Sequence, residues 1–363
     1  MNWSWTLFRY LAIRFLIGIG IVYGTFLLLA FSIDLVELTN RTAGRGVTTP
    51  VVVAMAVLQL PDLGQKMMPF AVLLGGVLAF AMMSRNQELV AVRAAGMSAW
   101  DFLAPPLAVA FGLGVFVVLV FTPISSRMLA QFSALEAKYI KGEASQLSIA
   151  KNGLWLRQGD ANQQSVIHAL HVADQGVHLE DVVVFLYGAN DHFLGRVDAK
   201  AAQLSAGTWT LTSAWVSGED GAPVHHDQYK LTTTLTPSQI QESFAPPDTI
   251  SFWELPAFIR AAQSAGFSAI RYELYLYSLL AMPALFAAMV FMAASFSVRL
   301  GRGGGLPRVI LVSALAGFGV YFFSEFARAL GQTGILPVAL AATAPATASI
   351  LIGMTLVFNQ EDG

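Results

Sequence analysis

The sequence predicts a membrane-embedded α-helical protein with a β domain: six transmembrane helices, three plus three, flanking one long polar insertion. Composition is the first observation behind this, because 55% of the residues are apolar and only 12% are charged, about half the charged share of an average soluble protein. Distribution is the second: residues 126–269 hold all six histidines and every lysine except Lys66, leaving the flanking segments almost purely apolar.

A membrane span needs about 20 apolar residues. The N-terminus carries Arg9 and Arg14 ahead of the run Phe15–Ile33, as a secretory signal does, but the run is long and no small-residue cleavage site follows. It is read as a retained first span. Met67–Ser84 is the second and Leu103–Ser126 the third. Leu274–Val298 is the fourth, Val309–Ser324 becomes long enough by running on into Glu325, and Gly331–Gln360 is the sixth. The domains expected are residues 1–125 with spans one to three, 126–269 as a separate β-rich domain, and 270–363 with spans four to six.

Orientation follows from arginines near the span ends. If spans alternate, Arg9, Arg14, Arg85, Arg93, Arg299, Arg302 and Arg308 share one side, which places both termini in the cytoplasm. The other side holds fewer basic groups, namely Arg41, Arg45, Lys66 and Arg328, and the large domain is then periplasmic.

Within the insertion, Trp209, Leu211, Ser213 and Trp215 alternate with Thr208, Thr210, Thr212 and Ala214, and Val182, Val184 and Leu186 alternate in the same way. Turn signals such as Gly188-Ala189-Asn190-Asp191 and Ser217-Gly218-Glu219-Asp220-Gly221 separate these runs. Several short strands with regular turns imply a sandwich, a jelly roll or an open barrel. Residues Ser251 to Ser264 read as a short helix capped by Ser251, with Glu254 at capping-box spacing. Tyr272, Tyr275 and Tyr277 beside Arg271 suit a headgroup boundary.

Several chemistries lack their residues. There is no cysteine, hence no disulfide or thiolate metal site. Near-zero net charge without a basic stripe argues against nucleic acid. No Walker A motif is present, and Gly301-Arg302-Gly303-Gly304-Gly305 lacks the lysine and hydroxyl that phosphate binding needs, so it reads as a basic hinge. His168 and His171, three apart on a strand, point to opposite faces, as do the neighbours His225 and His226. No serine elbow or zinc-protease helix appears, and an enzyme is disfavoured. No cofactor is expected in this chain, and any ATP is hydrolysed by a partner.

Two groups of candidate residues remain. Glu88, Leu89, Val92, Ala95 and Gly96 recur at helical spacing, with Arg93 beside them, in a helix from about 86 to 97 that is too short to be stable alone. A partner surface or the lipid headgroups would hold it, and Glu88 at its N-terminal end is favoured by the helix dipole. Arg41, Arg45, Lys66, Glu325 and Arg328 lie near the outer rim, where basic groups would meet an anionic headgroup. Ordinary loop charges, and an interfacial ion pair between Glu325 and Arg328, are the competing reading.

The series Leu60-Pro61, Pro69, Leu73-Leu74-Gly75, Ser84-Arg85-Asn86-Gln87-Glu88-Leu89-Val90 and Arg93-Ala94-Ala95-Gly96-Met97-Ser98 resembles the LptF/LptG family of lipopolysaccharide export permeases. The likeness continues through Gly153-Leu154-Trp155, Tyr272-x-Leu274, Met282-Pro283 and the turn around Arg302. The Glu361-Asp362-Gly363 terminus, Gly153-Leu154-Trp155 and Ile335-Leu336-Pro337 look more like the LptG type. The resemblance implies a bacterial inner-membrane subunit of an ABC-type exporter, a periplasmic β-jellyroll and an ATPase-coupling role for residues 86–97. It also implies an LptF-like permease partner, two LptB-type ATPase subunits and an LptC-type periplasmic protein. LptG-type members often carry a phosphate-contacting lysine near the end of the first span, where this sequence has Asp34. A permease for another lipid or lipoprotein, and a membrane-anchored scaffold, are the rival readings.

Overall fold

A computed structural model describes residues 5–88, 98–141, 146–150, 153–159, 163–173, 177–188, 192–205, 207–218, 221–233, 246–264, 268–298 and 305–361. The chain forms two compact units. One combines residues up to Leu135 with Asp248–Trp253 and everything from Glu273 onward, and the other combines Glu136–Pro247 with Glu254–Tyr272.

The first unit is helical, with α1 (Trp5–Thr42), α2 (Thr49–Arg85), α3 (Ala99–Phe116), α4 (Thr122–Glu136), α6 (Ile270–Val298), α7 (Leu306–Gln332) and α8 (Val338–Glu361). A π-helical turn, Val117–Phe121, joins α3 to α4 into one continuous rod, so among the described residues six helices are long and apolar enough to cross a membrane. The chain is thus a multi-pass membrane protein with the six spans its sequence predicts. At 1.5 Å per residue, α1 and α2 are each roughly 55 Å long, far more than a hydrocarbon core of about 30 Å requires.

Glycine explains why α1 and α2 pack so closely. A Cβ on Gly75 would stand 2.5 Å from the Cα of Ile19, and one on Gly18 would run into the Gly75 carbonyl. Gly114 in α3 likewise accepts Pro283 of α6, since a Cβ there would lie 2.5 Å from the proline Cα. Around these contacts Phe15, Leu73, Val77, Phe80, Phe286 and Met289 are fully buried, and the aromatic rings of Phe15 and Phe80 sit 6.1 Å apart.

The start of the sixth span and that of the short helix after the sheet differ from the sequence reading. The sixth span starts at Val338, not Gly331, because Gly334 takes φ +76° and the amides of Ile335 and Leu336 turn back onto the Leu330 carbonyl, ending α7 before Pro337. The short helix α5 is Leu255–Ser264 and does not begin at Ser251. Pro256 suits its first turn. Residues 252–254 are spent on turns, and Trp253 is used elsewhere, as described below.

The second unit is a seven-stranded antiparallel sheet of β1 (Gln146–Ala150), β2 (Gly153–Gly159), β3 (Gln163–Ala173), β4 (His178–Gly188), β5 (Phe193–Ser205), β6 (Thr208–Gly218) and β7 (Val224–Thr232). Its order is that of the chain, β1 to β7, a meander compatible with the jellyroll-like domain that the resemblance implies. Leu154, Leu156, Ile167, Val184, Val197, Trp209 and Leu211 are buried on its inner face. The Trp209 indole donates to Gln158 Oε1 at 3.2 Å, and the Thr233 hydroxyl donates to the same oxygen at 2.6 Å, so this buried amide oxygen is satisfied.

A crease crosses the sheet. Between β3 and β4 the pairs Ala169–Val182 and His171–Glu180 step over Leu170 and Asp181. The same omission continues at Lys200, Ser213 and Asp227 in the next three strands. Asp181 and Ser213 have φ of +52° and +54°, and the buried residues on either side are three apart rather than two: Leu179 and Val182, Ala199 and Ala202, Leu211 and Ala214. In a regular strand such residues would face opposite ways. The crease therefore lets both halves of each strand bury the same face, and it corrects the simple alternation expected for β6: Trp209 is 1% exposed and Trp215 50%.

Candidate functional site

Polar side chains gather at two levels of the helical unit. The first lies where α1 begins and α2 ends. Helix α2 closes with the Asn86 amide on the Met82 carbonyl, and Gln87 turns left-handed with φ +57°. That turn carries Glu88 toward α1, where Tyr10 donates its hydroxyl to Glu88 Oε2 at 2.9 Å. Arg14 donates to the Tyr10 oxygen at 3.1 Å and lies 3.9 Å from Glu88 Oε1, which also accepts from Asn86 Nδ2 at 3.0 Å. Glu88 is thus tied to the helix pair before it meets anything else. Leu89, Val92, Arg93, Ala95 and Gly96, the rest of the expected coupling helix, lie outside the described residues, as does Arg302. Beyond them Ser98 and Asp101 form a reciprocal capping box that starts α3, with the Asp101 amide 3.1 Å from the Ser98 hydroxyl.

The second level surrounds Lys66. Its ammonium bonds Asp62 Oδ2 at 2.7 Å, one turn earlier on α2, and Asp248 Oδ2 at 3.3 Å. Gln65 next to it is buried and accepts from Thr122 at 3.2 Å. The Thr122 hydroxyl is shared with the Val117 carbonyl at 2.9 Å, across the π-helical turn. Pro123 cannot supply an amide hydrogen to the Leu119 carbonyl four residues before it. The Trp253 indole donates to that carbonyl at 3.3 Å. Asp248 and Trp253 thus bracket a six-residue segment, Asp248–Trp253, that belongs to the helical unit although the chain on both sides belongs to the other unit.

The remaining rim residues are distributed rather than gathered. Arg41 pairs with Glu37 at 4.0 Å, and Arg328 pairs with Glu325 at 3.1 Å, one turn apart on α7 and both about 40% exposed or more. Arg45 lies in the turn between α1 and α2, its amide on the Thr42 carbonyl. Asp34 is 7% exposed, and its Oδ2 has no hydrogen-bond partner among the described residues. Sequence reasoning found Glu88 and Lys66 but missed the groups that hold them. Asp62 was legible, four residues before Lys66 in an apolar run, whereas Tyr10 and Asp248 are 78 and 182 positions from their partners and carry no local signal.

Across residues 9–358 the chain matches the family model described as lipopolysaccharide export system permease LptF/LptG. It is 25% identical over 314 residues to the lipopolysaccharide export system permease protein LptG of Haemophilus influenzae, covering 84% of this chain and 85% of that protein. It is 23% identical over 336 residues to LptG of Escherichia coli K12, covering 88% and 89%. Both relatives are consistent with the LptG type.

Proposed function

Because the chain belongs to the lipopolysaccharide export permease LptF/LptG family, we propose that it is the LptG-type transmembrane subunit of an ABC-type exporter, drawing lipopolysaccharide from the outer leaflet of the inner membrane. The observation that carries this is the joint match of family and architecture: six spans with a β unit inserted between the third and fourth.

The rest of the reading extends that match. An LptF-like subunit completes the permease, and two LptB-type ATPases bind on the cytoplasmic side, at the level of Glu88. Tyr10 and Arg14 link the Glu88 carboxylate to α1, so a push on residues 86–97 reaches α1 and α2 together. The periplasmic sheet passes lipid onward, its end strands β1 and β7, each paired on one side among the described residues, offering edges to an LptC-type partner. Arg41, Arg45, Lys66 and Arg328 supply cations at the outer rim for lipid phosphates.

Co-expression with an LptF-like and an LptB-type subunit tests the reading. A stable complex that retains lipopolysaccharide and releases it upon ATP addition supports it. A different bound lipid points to a permease of another substrate, and a complex with neither lipid nor ATPase overturns the permease reading.

A further inference from the structure

The Lys66 site holds one ammonium against two carboxylates, so its net charge is negative while both are in place. Such a site repels a phosphate as a whole. The two carboxylates are not equivalent, however. The side chain of Asp62 is 9% exposed and lies 2.7 Å from the ammonium, on the same helix, where loss of its cation would leave a buried charge unpaired. Asp248 is 27% exposed, stands at 3.3 Å and sits in a single 3-10 turn, Pro247–Thr249. It is the exchangeable partner, and Lys66 itself, 60% exposed, is open to an incoming group.

We propose that Asp248 is an intramolecular competitor for substrate phosphate at Lys66: a phosphate monoester displaces it, taking its hydrogen bond while Asp62 keeps its own. The exchange rests on the permease reading, with the phosphorylated glycolipid headgroup as the source of the phosphate. When Asp248 leaves, the 248–253 segment loses its ion pair to α2 while Trp253 keeps its hydrogen bond to Leu119, so headgroup arrival is reported to the chain that joins the two units. Asp248 is a specificity-determining residue on this reading, since only a ligand that outcompetes a carboxylate gains Lys66.

The test uses the full-length chain in its permease complex, reconstituted in nanodiscs, with phosphorylated and dephosphorylated lipid A as probes. Asp248→Asn tightens binding of the phosphorylated lipid by about threefold or more, the scale of one partly exposed ion pair, and leaves the dephosphorylated lipid unchanged. Asp248→Glu restores wild-type binding, and in a Lys66→Gln background Asp248→Asn has no effect. On the unmutated protein, amide exchange across 248–253 rises with phosphorylated lipid A only. Unchanged or weakened binding in a folded Asp248→Asn protein, equal tightening for both lipids, or no change in wild-type exchange overturns the competition. An equal response to inorganic phosphate shows that the site reads free phosphate and overturns the lipid exchange. Failure of the wild-type complex to bind either lipid overturns the permease reading itself, whereas normal lipid binding with a silent Asp248→Asn sinks only the exchange.

Discussion

Glu88 accepts three hydrogen-bonding or ionic contacts within its own chain, so its replacement acts on two things at once. Glu88→Ala is expected to weaken ATPase co-purification or uncouple hydrolysis from lipid extraction, and Glu88→Lys, which sets a cation beside Arg14, to do so more severely. Tyr10→Phe separates the effects. It deletes two hydrogen bonds, Tyr10 to Glu88 and Arg14 to Tyr10, each worth about 1 kcal/mol, while the carboxylate stays, so near-normal association in Tyr10→Phe assigns the role to Glu88 itself, measured by pull-down and coupled ATPase assay. Ser213 offers a different residue-level test. A non-glycine residue in the left-handed region costs about 1 kcal/mol, so Ser213→Gly should slow amide exchange in β5 to β7, and the β-branched Ser213→Val should accelerate it. The opposite order would mean that the Ser213 hydroxyl, 3.3 Å from His225, outweighs the backbone.

Among the elements, the α1–α2 pair depends on backbone approach that only glycine permits. Gly75→Leu forces a side chain where Ile19 Cα already stands, an overpacking cost of about 1–3 kcal/mol or more, whereas at exposed Gly20 an added Cβ meets nothing within 4 Å and Gly20→Leu is accommodated. Heating in detergent followed by size-exclusion chromatography should show loss of the folded peak for the first and its retention for the second. Equal behaviour would deny the contact. The spans themselves were readable because apolar length is a local property, visible in Phe15–Ile33 or Leu103–Ser126 without knowledge of any neighbour. Strands were readable for the same reason. The crease was not, because Asp181 and Ser213 are ordinary strand-surface residues whose left-handed backbone is imposed by neighbouring strands. The Lys66 site was half readable: Asp62 shares its helix, but Asp248 arrives only once the chain has completed the sheet.

For the molecule as a whole, the arginine bias makes a topological prediction. A reporter fused near Gly221 should register the periplasm, and reporters at Gln87 or Gly304 the cytoplasm; the reverse at Gly221 would invert every assignment of Glu88 and Lys66 to a side. That orientation requires more than a hundred residues to cross the bilayer unfolded between the third and fourth spans. The plain order of the sheet bears on this passage, because each strand's partner is the one just made. Contact order stays low, and loop-closure entropy is met one hairpin at a time. As residues emerge from the translocation channel, β2 can close on β1 and each later strand on its predecessor. At every moment the growing edge is the newest strand and the other end stays β1, so each arriving strand meets its own partner within about one hairpin of chain.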